Sequence, residues 1–371
     1  MCRWIAYISP TEPCLLSDVL ITPAHALTKQ VNTHYLPYLI PHHLAPIDLV
    51  VSISQPPTPP ASTPPSIDPL SIPAPIPPTH LAPPTTTPPS PDALARHALK
   101  LRNLALNTDG HGLVYFKSPL PLSSSSNFLS LASNTSTTCL LAHVRAGSGA
   151  PVSELNCHPF VFGRLSIMHN GSVGSFSKIK RRLLSRLSQK VYDQVQGGTD
   201  SEVVAALIVQ EIGLEGDLER IDCGVRVLAA AVVAVFHAVL EAQKEALGRT
   251  EASSLNVCVT DGRVLVATRF RNAGEEPPSL YWSVSAGVTL NSKYPGHPDE
   301  VGTGGNKERD HGMWKKAEGE HAPHVIVASE PSTFNEEEWM LMGKNSILMV
   351  DKEGVVEIRD IAERDGTLGI E

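Results

Sequence analysis

A cysteine stands directly after the initiator methionine, in the opening stretch MCRWIAYI. The thiolate is the nucleophilic form of cysteine, and an ordinary thiol needs a base or a positively charged neighbour to reach it at neutral pH. Removal of Met1 would free the α-amino group of Cys2, which titrates near neutrality and lies within reach of its own sulfur. Cys2 could then supply nucleophile and base together, although this position also accommodates a small residue without any function.

An arginine farther along stands between an apolar run and a loop of small residues. Arg145 follows CLLAHV and precedes AGSGA, which contains Ser148. A guanidinium group at such a place can hold a carboxylate through two parallel hydrogen bonds. The alternative is an arginine that is merely solvated at the end of a strand.

Two short polar motifs and one acidic residue lie downstream of that arginine. Asn156 and His158 belong to NCHP, a turn that leads into the next predicted strand, and Asn170 and Gly171 belong to HNG, which ends a predicted strand hairpin. An asparagine amide beside a glycine backbone N–H is a suitable pair of donors for an oxyanion. Asp200 falls in the first turn of a predicted helix. Each motif alone is compatible with an ordinary turn, but together they indicate a catalytic site.

These motifs together resemble those of the class II glutamine amidotransferases, N-terminal-nucleophile enzymes whose glutaminase domain begins with the catalytic cysteine. The resemblance implies that Cys2 attacks the side-chain carbonyl of the substrate and forms a γ-glutamyl thioester, while Asn170 and Gly171 stabilise the oxyanion. It also implies that Arg145 holds the substrate α-carboxylate and Asp200 the α-ammonium. Neither a cofactor nor a metal ion is expected.

The resemblance also implies a fold and supporting residues. The family fold is a four-layer αββα sandwich of the N-terminal-nucleophile hydrolases. His158 is expected to shape its loop together with Asn156 rather than act as a base, because the α-amine already fills that role. Synthases of the family often carry Thr-His-Gly after the arginine, whereas this chain has Ser148 and Gly149, which puts any contact made by that histidine in doubt.

Three stretches resemble a stand-alone subgroup of the family: CRW at the start, NTDGHG at 107–112 and ASEP at 328–331. Members of this subgroup include the γ-glutamyl hydrolase of ergothioneine synthesis and the fungal amidohydrolase subunit of glutathione degradation. The fungal subunit works with a metallopeptidase-like partner protein. The resemblance therefore implies hydrolysis of the γ-glutamyl bond of glutathione or a related conjugate, with water attacking the thioester.

Two other functions are compatible with the same residues. A glutaminase subunit that delivers ammonia to a separate synthase shares every catalytic residue. An inactive relative could serve as a scaffold subunit of a complex, although the intact catalytic residues argue against it.

The clearest discontinuity in the chain is the segment 55–91, which holds half of the 32 prolines, interleaved with serine and threonine. Proline supplies no donor to a strand ladder, and the segment has no periodic apolar face. We therefore predict one N-terminal-nucleophile domain formed by residues 2–54 and 92–371, interrupted by a disordered insertion at 55–91.

Apolar periodicity elsewhere predicts an α+β protein, with strands at both ends of the chain and helices between them. The predicted strands are Arg3–Ile8, 112–116, Cys139–Val144, a pair within 160–168, 256–259, 262–269, Val325–Ala328, Ser346–Val350 and 355–358. The predicted helices are 15–20, 94–104, 176–195, 200–212, which Thr199 can cap, and Val225–Leu247, whose nearly uniform apolarity predicts burial between layers. The segment 123–138, rich in serine and asparagine, is predicted to include a loop.

Composition narrows the choice of partners and compartment. The formal net charge of −8 argues against a surface for nucleic acid or anionic membranes. Six cysteines in 371 residues do not form a dense disulfide framework, so a reduced, cytoplasmic setting is expected. The longest apolar stretch, 225–240, contains Arg226 and His237, and we expect it to be too short for a membrane span.

Overall fold

The computed structural model describes residues 2–23, 25–30, 116–119, 125–146, 151–213, 223–286, 323–333, 336–364 and 366–371. These residues all belong to one compact unit. The predicted insertion at 55–91, the predicted helix at 94–104, most of the predicted strand at 112–116 and Ser148 lie outside the described residues. The boundaries of the insertion therefore stay a prediction.

Strands and helices alternate in blocks along the described chain. The strands are β1 (Arg3–Ile8), β2 (Cys14–Leu15), β3 (Ser136–Thr137), β4 (Cys139–Val144), β5 (Phe160–Phe162), β6 (Leu165–Ser172), β7 (Ser254–Thr260), β8 (Leu265–Arg269), β9 (Tyr281–Ser283), β10 (Val325–Ala328), β11 (Met340–Leu341), β12 (Ser346–Val350), β13 (Val356–Arg364) and β14 (Thr367–Ile370). The α-helices are α1 (Leu16–Leu20), α2 (Leu27–Gln30), α3 (Ser126–Asn134), α4 (Phe176–Leu184), α5 (Gln189–Tyr192), α6 (Asp200–Glu211) and α7 (Val225–Leu247).

Two larger sheets and one small one organise these strands. The first sheet has five strands in the order β11-β9-β10-β1-β4, and the second has seven in the order β14-β13-β12-β8-β7-β6-β5. Strand β1 is antiparallel to both neighbours, with Ile5 opposite Ala328 on one side and Ala142 on the other. The chain start thus lies inside a sheet rather than at its edge.

Strand β1 is buried on both faces, and its side chains alternate between two apolar clusters. Ile5 and Tyr7 pack with α1, α2 and α3, whereas Trp4, Ala6 and Ile8 pack in a different cluster. That second cluster joins β1 to the strands of the seven-stranded sheet through Met168, Cys258, Leu265, Ala267, Leu348 and Val350. The period of two along a strand makes one face of β1 meet helices and the other face meet the second sheet.

The opposite face of the seven-stranded sheet is covered by α4, α6 and α7. Leu255, Val257 and Val259 of β7 turn toward these helices and share the largest apolar cluster with them. Helix α7 ends at Gly248, whose φ of 71° is the left-handed conformation that glycine adopts without strain. By length and composition alone α7 could cross a membrane, contrary to our expectation for this stretch, but most of it is buried within the protein.

The α+β prediction is confirmed, and several elements match their predicted bounds. Strands β1, β4, β10 and β12 and helix α7 begin and end at the predicted residues. Thr199 caps α6 as predicted, because its side-chain oxygen accepts a hydrogen bond from the backbone N–H of Glu202 at 3.2 Å.

Two sequence predictions need correction. The predicted helix at 176–195 is two helices, since the chain breaks near Ser185 and Ser188, residues that compete for backbone hydrogen bonds and favour helix ends. In the segment 123–138, predicted to include a loop, the described residues from 125 onward are mainly helix α3 followed by β3. Ser125 caps that helix, and the burial of Phe128 stabilises it in spite of its polar composition.

The core beneath α7 generates a stability prediction. Phe236 is fully buried and its ring centroid lies 4.8 Å from that of Phe270. We expect Phe236→Ala to lower the free energy of unfolding by about 3–5 kcal/mol, because a cavity is left beneath the helix. Val227→Ala on the same helix, where the side chain is 51% exposed, should change it by less than about 0.5 kcal/mol. Denaturant unfolding of both variants measures the difference, and equal losses would contradict this description of the core.

Candidate functional site

Cys2 directly precedes β1, an interior strand of the five-stranded sheet. By the alternation along β1, its side chain shares the face of Trp4 and Ala6, which is turned toward the second sheet. The Cys2 Sγ accepts a hydrogen bond from the backbone N–H of Ala146 at 3.3 Å and is only partly buried. The thiol is therefore accessible and held against the segment that follows β4.

Strand pairing places Arg145 beside Cys2. Arg3 is directly opposite Val144 in the antiparallel pair formed by β1 and β4. Arg145, which follows Val144, therefore lies alongside Cys2, which precedes Arg3. The Arg145 side chain is partly exposed, and its Nη1 donates to the carbonyl of Pro151 at 3.2 Å. The structure thus brings two of the predicted site residues together, while Ser148, on the same loop, lies outside the described residues.

Asn170 lies near the end of β6, a strand of the facing sheet. Its side chain shares the face of Met168, which packs against β1, so Asn170 and Cys2 lie on faces that are turned toward each other. Asn170 is 4% exposed, and its Nδ2 has no hydrogen-bond partner within the described part of the chain. A buried amide donor without a partner is costly, and this one is oriented toward the space between the sheets.

Gly171 is required by a close backbone approach. A Cβ at this position would lie 1.9 Å from the carbonyl oxygen of Ser254 and 2.9 Å from Nε2 of His169. The same carbonyl is hydrogen-bonded to His169 Nε2 at 3.0 Å. A side chain at position 171 would therefore displace β7 and the histidine that holds the end of β6.

The hydrogen bonds of His169 connect β6 to β7 and to helix α6. A carbonyl only accepts, so Nε2 donates to the carbonyl of Ser254 at 3.0 Å, and Nδ1 is hydrogen-bonded to the Ser201 hydroxyl at 2.9 Å. The neighbouring Asp200 accepts from the backbone N–H of Val173 at 2.9 Å through Oδ2 and from that of Ser201 at 2.9 Å through Oδ1. The Asp200 carboxylate is thus fixed where β6 ends.

Asn156 and Glu202 fix the loops around the site. Asn156 donates through Nδ2 to the carbonyl of Pro151 at 2.9 Å and accepts through Oδ1 from the backbone N–H of Gly198 at 3.2 Å. The buried Glu202 accepts from the backbone N–H groups of Gln196 and Gly197 at 2.7–2.9 Å. Glu202 was not among the predicted site residues, although Gly197 and Gly198 just before the helix were a signal of such a loop-anchoring role.

His158 is buried and stacks on His143, with ring centroids 4.0 Å apart. The pKa of His143 is lowered to about 3, mainly by burial and in smaller part by the nearby His169 and Arg145. Burial likewise lowers the pKa of His158 well below its ordinary value, with His143 the next cause. Both rings are therefore neutral at physiological pH. His143 was not among the predicted site residues, because one histidine within an apolar strand carries no distinctive pattern.

No group of three or more metal-ligating side chains occurs in the described ranges. The six cysteines are free thiols. Burial raises the pKa values of Cys14, Cys139 and Cys258, so these thiols stay protonated.

The chain has relatives among curated proteins and solved structures, although no protein-family model matches it. It is 30% identical over 276 residues to the probable glutamine amidotransferase DUG3 of Saccharomyces cerevisiae, and the match covers 69% of this chain and 72% of the relative. It is 29% identical over 133 residues to the isomerizing glutamine–fructose-6-phosphate aminotransferase of Streptomyces coelicolor, covering 34% of this chain and 20% of that enzyme. A glutamine aminotransferase class-II domain protein from Silicibacter pomeroyi aligns with 23% identity and a TM-score of 0.47, over 67% of this chain and 86% of that one.

The glycine at the end of β6 provides a direct test of the site geometry. We expect Gly171→Ala to lower the free energy of unfolding by more than about 1 kcal/mol, because the added methyl group overlaps the Ser254 carbonyl. Gly198→Ala is the matched control, since a Cβ there meets nothing within 4 Å. Denaturant unfolding curves of the two variants should separate clearly; overlapping curves would show that β6 and β7 do not approach as described.

The buried histidine pair predicts a pH dependence of stability. A histidine with a depressed pKa in the folded state binds fewer protons than in the unfolded chain, where its pKa is about 6.5. Stability is therefore complete above about pH 6.5 and falls as the pH is lowered toward the folded value of about 3. We expect His143→Phe, which keeps a ring against His158, to weaken this dependence between about pH 7 and 5. Urea unfolding at several pH values measures it, and parallel slopes for both proteins would refute the prediction.

Proposed function

The chain belongs to the glutamine amidotransferase family, and from this premise we propose that it hydrolyses the γ-glutamyl bond of glutathione or a related conjugate, using Cys2 as its N-terminal nucleophile. The predicted family is thereby confirmed, and the family makes the chain an enzyme of the amidohydrolase type. The nucleophile, the substrate and the partners are the proposal. The observation that supports it most is the buried amide nitrogen of Asn170, which has no hydrogen-bond partner among the described residues and lies on the face turned toward Cys2.

We propose that the fold is the four-layer αββα sandwich of N-terminal-nucleophile hydrolases. Three separate apolar clusters support it: one between α1–α3 and the five-stranded sheet, one between the two sheets, and one between the seven-stranded sheet and α4, α6 and α7. Three interfaces of this kind separate four layers.

The first chemical step is acyl transfer to sulfur. After Met1 is removed, the α-amine of Cys2 takes the Sγ proton and the thiolate attacks the γ-carbonyl carbon of the substrate. The tetrahedral oxyanion accepts hydrogen bonds from Asn170 Nδ2 and the backbone N–H of Gly171. Collapse of the intermediate breaks the C–N bond, and the leaving amine receives the proton from the α-ammonium.

The second step is hydrolysis of the γ-glutamyl thioester. The α-amine takes a proton from a water molecule while the water oxygen attacks the same carbonyl carbon. The same two donors stabilise the second oxyanion. The C–S bond then breaks, the α-ammonium returns its proton to the sulfur and so restores the thiol, and glutamate leaves. Neither step needs a metal ion or a redox group.

Recognition of the glutamyl group is assigned to two charged residues. Arg145 follows β4 alongside Cys2, and its guanidinium can bind the α-carboxylate. The Asp200 carboxylate, held by Val173 and Ser201 at the end of β6, can bind the α-ammonium. Asn156 and His158 support this arrangement by fixing the intervening loop. One positively and one negatively charged residue are sufficient, because the glutamyl end of the substrate is a zwitterion.

Glutathione as substrate rests on the likeness of CRW, NTDGHG and ASEP to the stand-alone subgroup, and so do a cytoplasmic location and a metallopeptidase-like protein partner. A glutaminase that supplies ammonia to a synthase is the second candidate. The match to the Streptomyces coelicolor aminotransferase favours it, although that match spans only 20% of the aminotransferase. Both candidates share the thioester and differ in the leaving group.

Glutamate release from purified protein separates the candidates. We expect the chain, alone or with a metallopeptidase-like partner, to release glutamate from glutathione, and Cys2→Ala to abolish release while leaving the protein folded, because the side chain is small. Cys223→Ala, which removes a buried thiol near the start of α7, should retain activity. Mass spectrometry of active protein should show that Met1 is absent.

Three results would contradict parts of the proposal. Release from glutamine but never from glutathione would assign the chain to the glutaminase class. Active protein that retains Met1 would exclude the α-amine as base. An active Cys2→Ala variant would exclude the nucleophile.

A further inference from the structure

The first strand carries a buried ion pair that reaches back to the nucleophile residue. Arg3 Nη2 lies 3.2 Å from Glu330 Oε1, and the two side chains are 10% and 11% exposed. The other terminal nitrogen, Nη1, donates to the backbone carbonyl of Cys2 at 3.1 Å. One planar guanidinium thus connects Cys2 to the segment that follows β10.

That segment is itself firmly attached to β1. The hydroxyl of Ser329 accepts from the backbone N–H of Trp4 at 3.0 Å, and the backbone N–H of Ser329 donates to the carbonyl of Trp4 at 2.9 Å. Glu330 Oε1 also accepts from the hydroxyl of Ser279 at 2.8 Å. Burial raises the pKa of Glu330, and the charge of Arg3 opposes that rise. The contacts with Arg3 and Ser279 fix the Glu330 carboxyl group beside the guanidinium.

The position of Arg3 excludes direct contact with the reacting atoms. By alternation, its side chain leaves β1 on the face of Ile5 and Tyr7, which is covered by helices. The Cys2 side chain leaves on the other face, toward the second sheet. Arg3 can act on the reaction only through the backbone of Cys2.

We propose that Arg3, held by Glu330, is a positioning residue that fixes the peptide group of the catalytic Cys2. This inference rests on the proposed function of Cys2. Once Met1 is removed, no preceding peptide restrains Cys2, and terminal residues fray unless they are tied down. The Arg3 hydrogen bond holds the carbonyl side of Cys2, so the orientation of its Sγ and α-amine is retained. Small misplacements of a reacting group lower the rate without preventing substrate binding.

Steady-state kinetics of four variants test this role. The substrate is glutathione, or glutamine if glutamine alone is hydrolysed. We expect Arg3→Met to lower kcat by roughly 10- to 100-fold while KM changes little, because the substrate-binding groups are untouched. Glu330→Gln keeps an oxygen acceptor for Arg3 and should lower kcat less. The double variant Arg3→Met/Glu330→Gln buries no unpaired charge, so its stability should recover toward that of the natural protein while its kcat stays low.

Arg269→Met is the matched control. Arg269 is also buried, pairs with Glu276 at 3.0 Å and donates to the backbone carbonyls of Pro278 and Met342, but it does not reach Cys2 in the described hydrogen bonds. Its loss should lower thermal stability and leave kcat close to the natural value. The rate at which iodoacetamide alkylates Cys2, followed by mass spectrometry, should fall in the Arg3 variants and not in this control.

The proposal is overturned if the double variant recovers kcat together with stability, or if Arg269→Met lowers kcat as much as Arg3→Met does. Should Arg3→Met alone fail to fold, the double variant carries the same comparison. An active Cys2→Ala variant would instead overturn the proposed function. If Cys2→Ala is inactive and the double variant is fully active, the positioning role is overturned while the proposed function stands.

Discussion

The complete burial of strand β1 is the constraint on which the rest of the structure depends. All six residues of this strand are buried, and its five apolar side chains alternate between a cluster with helices and a cluster with the second sheet. Because the period of a strand is two, a shift of one residue would turn Trp4 toward the helices and Tyr7 toward the other sheet. The apolar pattern therefore determines which way Cys2 is turned, one residue before the strand begins.

The polar residues of the site are held mainly by backbone groups of distant segments. Asp200 is bound by the N–H of Val173, Asn156 by that of Gly198, and Glu202 by that of Gly197. Each contact joins the end of one element to the start of another, so the carboxylates and amides are oriented before any substrate arrives. Preorganised groups of this kind need little reorganisation when charge develops on a substrate. The same hydrogen bonds consequently hold the loops in place and determine the geometry of the site.

Local pattern was sufficient to predict the long elements and the motifs, but it did not reveal what pairs across the fold. Helix α7 and strand β4 have apolar runs long enough to be bounded from composition, whereas β9 and β14 span only three and four residues and leave no periodic signal. The hydrogen bond between His169 and Ser201 and the ion pair between Arg3 and Glu330 join residues far apart in the chain. Their partners become neighbours only after the sheets pack, so a single sequence contains the residue types without the pairing.

Several buried polar atoms have no hydrogen-bond partner within the described residues. They include Nδ2 of Asn170 and both ring nitrogens of His158. Leaving such an atom unpaired costs roughly 1–3 kcal/mol, so a core selected for stability alone would fill these positions with apolar side chains. In the proposed mechanism, the partner of Asn170 is an oxyanion that forms only during turnover. The stacked histidines have no such partner in the mechanism, and their neutrality has a separate consequence: two uncharged rings beside Arg145 add no competing charge to the place where a substrate carboxylate is expected to bind.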